Sequence, residues 1–195
     1  MKIGVLALQG AFREHKQKFQ ELGADAVVIK LQRDLEGIDA IAIPGGESTS
    51  IGKLLRQYDL IEPIRERVAQ GMPVFGTCAG MIVMANRITG EDVTHLGIMD
   101  VEVRRNSFGR QRESFETDLD IPVIGEEPFP AVFIRAPHIE AVGPSVKVLS
   151  TYNDRIVAVQ QDNLLALSFH PELTGDNRLH AYFLELVKQK SAVGR

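Results

Sequence analysis

Four short runs, residues 3–8, 26–31, 38–43 and 73–77, are predominantly apolar and show no alternating polar face. A strand with one face in water alternates apolar and polar residues, so runs of this kind are expected only where both faces of a sheet are covered. That requirement narrows the fold more than any other feature. Amphipathic stretches lie between the runs and supply the cover. Phe12, His15, Phe19 and Leu22 recur at helical spacing and stop at Gly23, and Ile51, Leu54, Leu55 and Tyr58 repeat the pattern after a Ser48-Thr49-Ser50 start. Ile61, Ile64 and Val68 form a third, shorter face. Strands alternating with helices imply parallel pairing through right-handed crossovers.

The second half changes period. Val101 and Val103, then Phe115, Thr117, Leu119 and Ile121, alternate as half-exposed strands do, and residues 146–150, 156–160 and 164–169 follow closely. These read as antiparallel additions and a return to the main sheet. Leu179, Tyr182, Phe183, Leu186 and Val187 mark a closing amphipathic helix with Asp176 as its cap. The expected architecture is α/β: a three-layer open, mostly parallel sheet with helices on both faces and antiparallel additions in the second half, in one domain over residues 1–195.

Charge excludes some partners. A net charge of -4 leaves no basic footprint for nucleic acid or for an anionic membrane surface. No apolar stretch approaches the ~20 residues that a membrane helix needs. A single cysteine cannot form an internal disulfide, and no charged-then-apolar leader opens the chain, so a soluble cytoplasmic protein is expected.

That cysteine, Cys78, is centred in Gly76-Thr77-Cys78-Ala79-Gly80, between a strand-like and a helix-like run. Small flanking residues are what a sharp strand-to-helix turn requires, the layout of a nucleophile elbow. The competing reading is an inert core thiol. A nucleophilic thiol needs a base and the base an orienter, and Phe169-His170-Pro171-Glu172-Leu173 offers both after an apolar run. In extended chain, residues two apart project to one side, so Glu172 is expected to reach His170. His15, His95, His138 and His180 lack comparable surroundings in sequence.

Ile43-Pro44-Gly45-Gly46-Glu47-Ser48 joins a buried strand to a helix, and its paired glycines let backbone N–H groups turn towards an anion or oxyanion. Five residues separate Gly46 from Gly52-Lys53, and Leu54 follows, which rules out a phosphate-binding Walker loop. An oxyanion role is favoured over a plain turn because loops after neighbouring parallel strands converge at one sheet edge. Arg105, in a basic stretch running from Arg104 to Arg112, and Arg135, at a strand end, are each either solvated surface or a clamp for a substrate carboxylate. No Cys-x-x-Cys, His-x-x-x-His or carboxylate cluster is present, so neither a metal nor another cofactor is expected.

Cys78 in Gly-Thr-Cys-Ala-Gly, together with His170-Pro171-Glu172 and Pro44-Gly45-Gly46-Glu47-Ser48, resembles the class I glutamine amidotransferases. With residues 8–15, 106–111 and 133–137 added, the chain resembles more narrowly the family of glutaminase subunits of pyridoxal 5'-phosphate synthases. The resemblance implies hydrolysis of L-glutamine to glutamate and ammonia through a Cys78-His170-Glu172 triad, with an oxyanion hole made by the N–H groups of Ala79 and Gly46. It implies that Gly46, Glu47, Ser48, Arg105, Ile134 and Arg135 grip glutamine, and that Gln9 and the start of the first helix sense a partner. The implied partner is a barrel-shaped synthase subunit in a hetero-oligomer, which receives the ammonia. Two rivals remain at this point, another cysteine hydrolase of similar architecture and a non-catalytic glutamine-sensing module. An intact Cys78, His170 and Glu172 weigh against the second.

Overall fold

A computed structural model describes residues 1–108 and 114–193. In chain order the first half contains β1 (Lys2–Leu6), α1 (Phe12–Glu21), β2 (Asp25–Ile29), β3 (Ala40–Ile43), α2 (Ser48–Gln57), α3 (Ile61–Ala69), β4 (Val74–Thr77) and α4 (Ala79–Met84). The second half contains β5 (Ala85–Ile88), β6 (Met99–Arg104), β7 (Ser114–Leu119), β8 (Phe129–Ile134), β9 (His138–Val142), β10 (Lys147–Tyr152), β11 (Arg155–Gln161), β12 (Leu164–Leu167) and α5 (Arg178–Val193).

One sheet runs in the order β2-β1-β3-β4-β12-β11-β9-β6-β5, with β10 against β11. Strands β2, β1, β3, β4 and β12 pair in parallel, as expected of buried runs linked by helices. From β11 onward the pairings turn antiparallel until β6 meets β5 in parallel, and β7 and β8 form a separate antiparallel ribbon. The expected mixed α/β architecture is therefore present.

Alternation along the central strands divides the core in two. Ile3, Val5, Ala40, Ala42, Phe75, Leu165 and Leu167 cluster with Phe19 of α1 and Leu179 and Phe183 of α5. Leu6, Ile41, Ile43, Val74 and Ala166 cluster with Ile51 and Leu55 of α2, Ile64 of α3 and Met81 of α4. Period-two side-chain direction thus sends every second residue to helices on opposite faces. The exception is β2, which sits at the sheet edge with Val27 and Val28 only partly covered, so its apolar run overstated its burial. No helix among the described residues is long and apolar enough to cross a membrane.

Two helix starts refine the expectation. The carboxylate of Glu47, one residue before the Ser-Thr-Ser run, caps α2 by accepting the N–H groups of Thr49 (3.1 Å) and Ser50 (2.7 Å). Asp176 accepts the N–H of Arg178, the first residue of α5, at 3.0 Å.

Candidate active site

Four adjacent parallel strands, β1, β3, β4 and β12, deliver the chemistry-bearing segments from their carboxyl ends: Gln9-Gly10, Gly45-Gly46-Glu47, Cys78 and His170-Glu172. Cys78 lies between β4 and α4 with φ 53 and ψ -110, a conformation that costs an L-residue on the order of 1–3 kcal/mol. Its N–H bonds the carbonyl of Leu167 at 2.8 Å, anchoring the turn to β12. The flanking glycines are demanded by contact. A Cβ on Gly80 would stand 2.1 Å from the carbonyl oxygen of Ile43, and one on Gly76 would stand 2.4 Å from Met84 Sδ. Cys78 is 7% exposed, with Sγ 3.8 Å from the carbonyl oxygen of Ile134.

His170 and Glu172 meet, but not along extended chain. After β12 the backbone turns, the N–H of His170 bonds the carbonyl of Val132 at 2.8 Å, and Pro171 opens a 3₁₀ turn, Pro171–Leu173. Proline suits that first position because it has no N–H to satisfy and its φ is already fixed. The turn curls Glu172 back so that Oε1 is 2.6 Å from His170 Nδ1. The carboxylate is fully buried, where solvent does not screen it.

Burial by itself lowers the pKa of His170, but its hydrogen bonds to Cys78 and Glu172, and their charges, outweigh this and push it up to about 10. Burial raises the carboxyl of Glu172, yet His15 and then His170 leave it below its ordinary value. His15 is itself pushed down to about 3 by burial, so it is neutral at pH 7. With Nδ1–H of His170 committed to Glu172, Nε2 is the nitrogen left for the thiol.

Gly45 separates the loop from the thiol and imidazole by no more than its missing side chain. A Cβ there would lie 2.5 Å from His170 Cε1 and 3.3 Å from Cys78 Cβ. The carbonyl of Gly45 abuts Gly10, whose own Cβ would be 1.6 Å from that oxygen. Because the peptide is trans and planar, the N–H of Gly46 points the opposite way, away from Gly10. Gly46 has φ 154, and the next N–H, of Glu47, donates to Gln9 Oε1 at 2.6 Å. On the facing side, the N–H of Ala79, first residue of α4, has no acceptor one turn back.

A cavity of about 360 Å³ opens over the thiol. Gly46, Glu47, Ser48, Ala79, Arg105, Ile134 and Arg135 all line it with Cys78 and His170, and so do Ile82 and Asn106, which the sequence reading did not single out for this role. Ile82 is four residues beyond Cys78 on α4, a helical spacing that was a usable signal. Arg105 reaches Glu47 at 3.3 Å and Glu91 at 3.0 Å, and Arg135 follows β8 at φ 44. Residues 109–113 of the basic stretch lie outside the described residues. A larger depression of about 650 Å³, bordered by Arg56, Arg65 and His95, has no thiol in its lining, so the chemistry points to the smaller cavity. Among the described residues no group of His, Cys, Asp and Glu is arranged to hold a metal ion.

Two histidines set aside in the sequence are in fact packed behind the site. His15 is fully buried, with Nε2 3.0 Å from Thr77 Oγ1 and 3.4 Å from Glu172 Oε2, and its Nδ1 is 2.9 Å from His180 Nε2. Tertiary packing of α1 and α5 against β4 creates that contact, and no local spacing announces it.

A strained thiol elbow, with an imidazole and carboxylate from one neighbouring strand and a glycine loop from the other, is the arrangement of a cysteine hydrolase of α/β architecture. The crystal structure of a glutamine amidotransferase matches with a TM-score of 0.91 at 50% identity, covering 95% of this chain and 98% of that one. The chain belongs to the SNO glutamine amidotransferase family, whose sequence model matches residues 5–189. Pyridoxal 5'-phosphate synthase subunit PdxT of Moorella thermoacetica is 57% identical over 187 residues, 96% of this chain and 100% of the relative. The subunit of the same name from Geobacillus thermodenitrificans is 56% identical over 193 residues, 99% of this chain and 98% of the relative.

Proposed function

We propose that this protein is the glutaminase subunit of a pyridoxal 5'-phosphate synthase, hydrolysing L-glutamine to L-glutamate and ammonia for a separate synthase subunit. The observation that carries the reading is the meeting of Cys78, His170 and Gly46 in one cavity, with Glu172 buried 2.6 Å behind the imidazole, in a chain 57% identical to a PdxT subunit.

The thiolate of Cys78 attacks the side-chain amide carbon while His170 holds the proton. The resulting oxyanion is taken by the N–H groups of Ala79 and Gly46, and each such donor in comparable sites is worth about 3 kcal/mol. His170 then protonates the nitrogen, the C–N bond breaks, ammonia leaves and a γ-glutamyl thioester remains. Water, deprotonated by His170, attacks the thioester, and collapse returns the thiolate and releases glutamate. Glu172 keeps the imidazole in the productive tautomer throughout. Arg105 and Arg135 supply positive charge for the α-carboxylate of glutamine, and Glu47 and Ser48 with the carbonyl of Ile134 complete the grip. Arg105 is already paired with Glu47 and Glu91, so substrate exchanges one ion pair for another.

The partner is a barrel-shaped synthase subunit in a hetero-oligomer. Gln9 couples docking to the site, because its side chain holds the peptide next to Gly46. The test is ammonia release from glutamine by the full chain with and without the synthase subunit. Release that rises on adding the subunit and vanishes in Cys78→Ala is expected. Release that persists in Cys78→Ala, or hydrolysis of peptides in place of glutamine, would overturn the reading.

A further inference from the structure

We propose that His15 is a positioning residue for glutamine hydrolysis: from α1 it holds the Glu172 carboxylate, and through it His170, and ties both to Thr77 beside the nucleophile. The inference rests on the glutaminase reading and adds a residue to it.

The geometry is a chain of buried groups. His170 Nδ1 meets Glu172 Oε1 at 2.6 Å, and the other oxygen of that carboxylate has His15 Nε2 as its approach, at 3.4 Å. Neither Glu172 Oε2 nor His180 Nδ1 has a hydrogen-bond partner among the described residues, so His15 is the polar group that faces that oxygen. Protons on this chain can be assigned by elimination. If His15 carried its proton on Nδ1, its Nε2 lone pair would face an ionised carboxylate, and His180 would be left with a buried N–H and no acceptor. If both rings carry the proton on Nε2, His180 donates to His15 Nδ1, and His15 donates to Thr77 Oγ1 with the positive end of the same N–H 3.4 Å from Glu172 Oε2. One lone pair on His180 is then the group left unpaired, the smaller cost of the two.

The groups facing His15 come from every element around it: Glu172 and His170 from the segment after β12, Thr77 from β4, and His180 from α5. On α1 itself, Lys18 lies one turn on from His15 and supports the same assembly. Its ammonium bonds the carbonyl of Thr174 and, at 2.7 Å, Asn177 Oδ1, so α1 grips the segment carrying Glu172 at two points. Phe75, Phe19 and His180 pack their rings around the imidazole and its neighbour, which limits any swing of the ring. The first turn of α1 follows Gly10, which abuts the Gly45 carbonyl, so one helix braces both the oxyanion loop and the base.

Two amide substitutions separate positioning from packing. The amide of Gln ends near the place of the imidazole Nε2 and can still donate to Glu172, whereas that of Asn ends near Nδ1 and cannot. Asn is one methylene shorter and leaves the larger gap in this buried site, so both variants lower the melting temperature and His15→Asn lowers it more. With the synthase subunit present, His15→Asn is expected to lose about 10- to 100-fold in kcat with KM nearly unchanged, as small displacements at a reacting centre do. His15→Gln is expected to recover most of that loss. Equal kcat in the two variants would overturn the proposal, whether both are active or both impaired. Nitrogen-15 histidine spectra of the unmodified chain give an independent reading should the variants fail to fold: neutral Nε2–H tautomers at His15 and His180 support it, and an Nδ1–H tautomer at His15 refutes it. Activity surviving in Cys78→Ala would instead count against the glutaminase reading itself.

Discussion

Replacing Gly45 by alanine tests whether the thiol and imidazole are held by sterics. The new methyl would start 2.5 Å from His170 Cε1 and 3.3 Å from Cys78 Cβ, against an ordinary carbon contact of about 3.5–4.0 Å. Cys78 cannot retreat, because its backbone is fixed by the elbow and by the Leu167 carbonyl. The imidazole must therefore move by about 1 Å, and that motion pulls Nδ1 off Glu172 or Nε2 off the thiol. A displacement of this size at a reacting centre lowers the rate about 100-fold, equivalent to about 2.7 kcal/mol of transition-state stabilisation. Overpacking should lower stability by about 1–3 kcal/mol. The assay is ammonia release at saturating synthase subunit, alongside a urea melt. Gly175→Ala serves as control, since a Cβ there meets nothing within 4 Å. A Gly45→Ala protein that keeps more than about a third of the native kcat/KM, where the displacement predicts about a hundredth, would show that the loop yields and would refute the reasoning.

Acid should destabilise the fold before any carboxylate titrates. His15 and His180 have folded pKa values of about 3 against an ordinary 6.5, so the unfolded chain binds more protons between those limits. Their contribution is complete above pH 6.5 and falls by about 1.4 kcal/mol per histidine per pH unit below it. His170, raised to about 10, adds no slope in that window because it is protonated in both states below pH 6.5. Urea melts between pH 6.5 and 4.5 should show the slope shrinking by about one proton in His180→Gln, and an unchanged slope would refute the assignment. Glu172→Gln removes the charge that stabilises an imidazolium and lets the wrong tautomer form, so kcat should fall on the order of 10⁴-fold with circular dichroism unchanged; a variant retaining a tenth of its activity would mean that Glu172 does not orient the base. Gln9→Ala removes the acceptor 2.6 Å from the Glu47 N–H and should abolish stimulation by the synthase subunit while leaving alkylation of Cys78 by iodoacetamide intact, and stimulation that survives would refute the coupling role.

Most of the parallel half was legible because burial on both faces writes itself into composition: runs such as 38–43 and 73–77 have nothing polar to show to water along one side. The strands missed were those with weaker patterns. β5, Ala85-Asn86-Arg87-Ile88, follows α4 without a turn residue, and β9 carries His138 and Glu140 amid its apolar residues, so neither has the sustained period that marks a strand. The site was readable where its parts are local. The elbow needs glycines at 76 and 80, and the clashes with Met84 and the Ile43 carbonyl show why. His170 and Glu172 were paired from their spacing, although a 3₁₀ turn and not extended chain brings them together.

By its own pattern the sequence determined the layered α/β sheet, the elbow, the glycine loop and the identity of a thiol, an imidazole and a carboxylate as partners. These follow from residue types and spacings within a few positions of one another. Only the tertiary structure decided which strands are neighbours, and hence that Gln9, Gly45, Cys78 and His170 come from four adjacent carboxyl ends. It also decided that His15, Lys18 and His180 stand behind Glu172. Such contacts join residues as far apart in sequence as His15 and His180, and buried imidazoles acquire their tautomers and depressed pKa values only from the groups that packing puts against them.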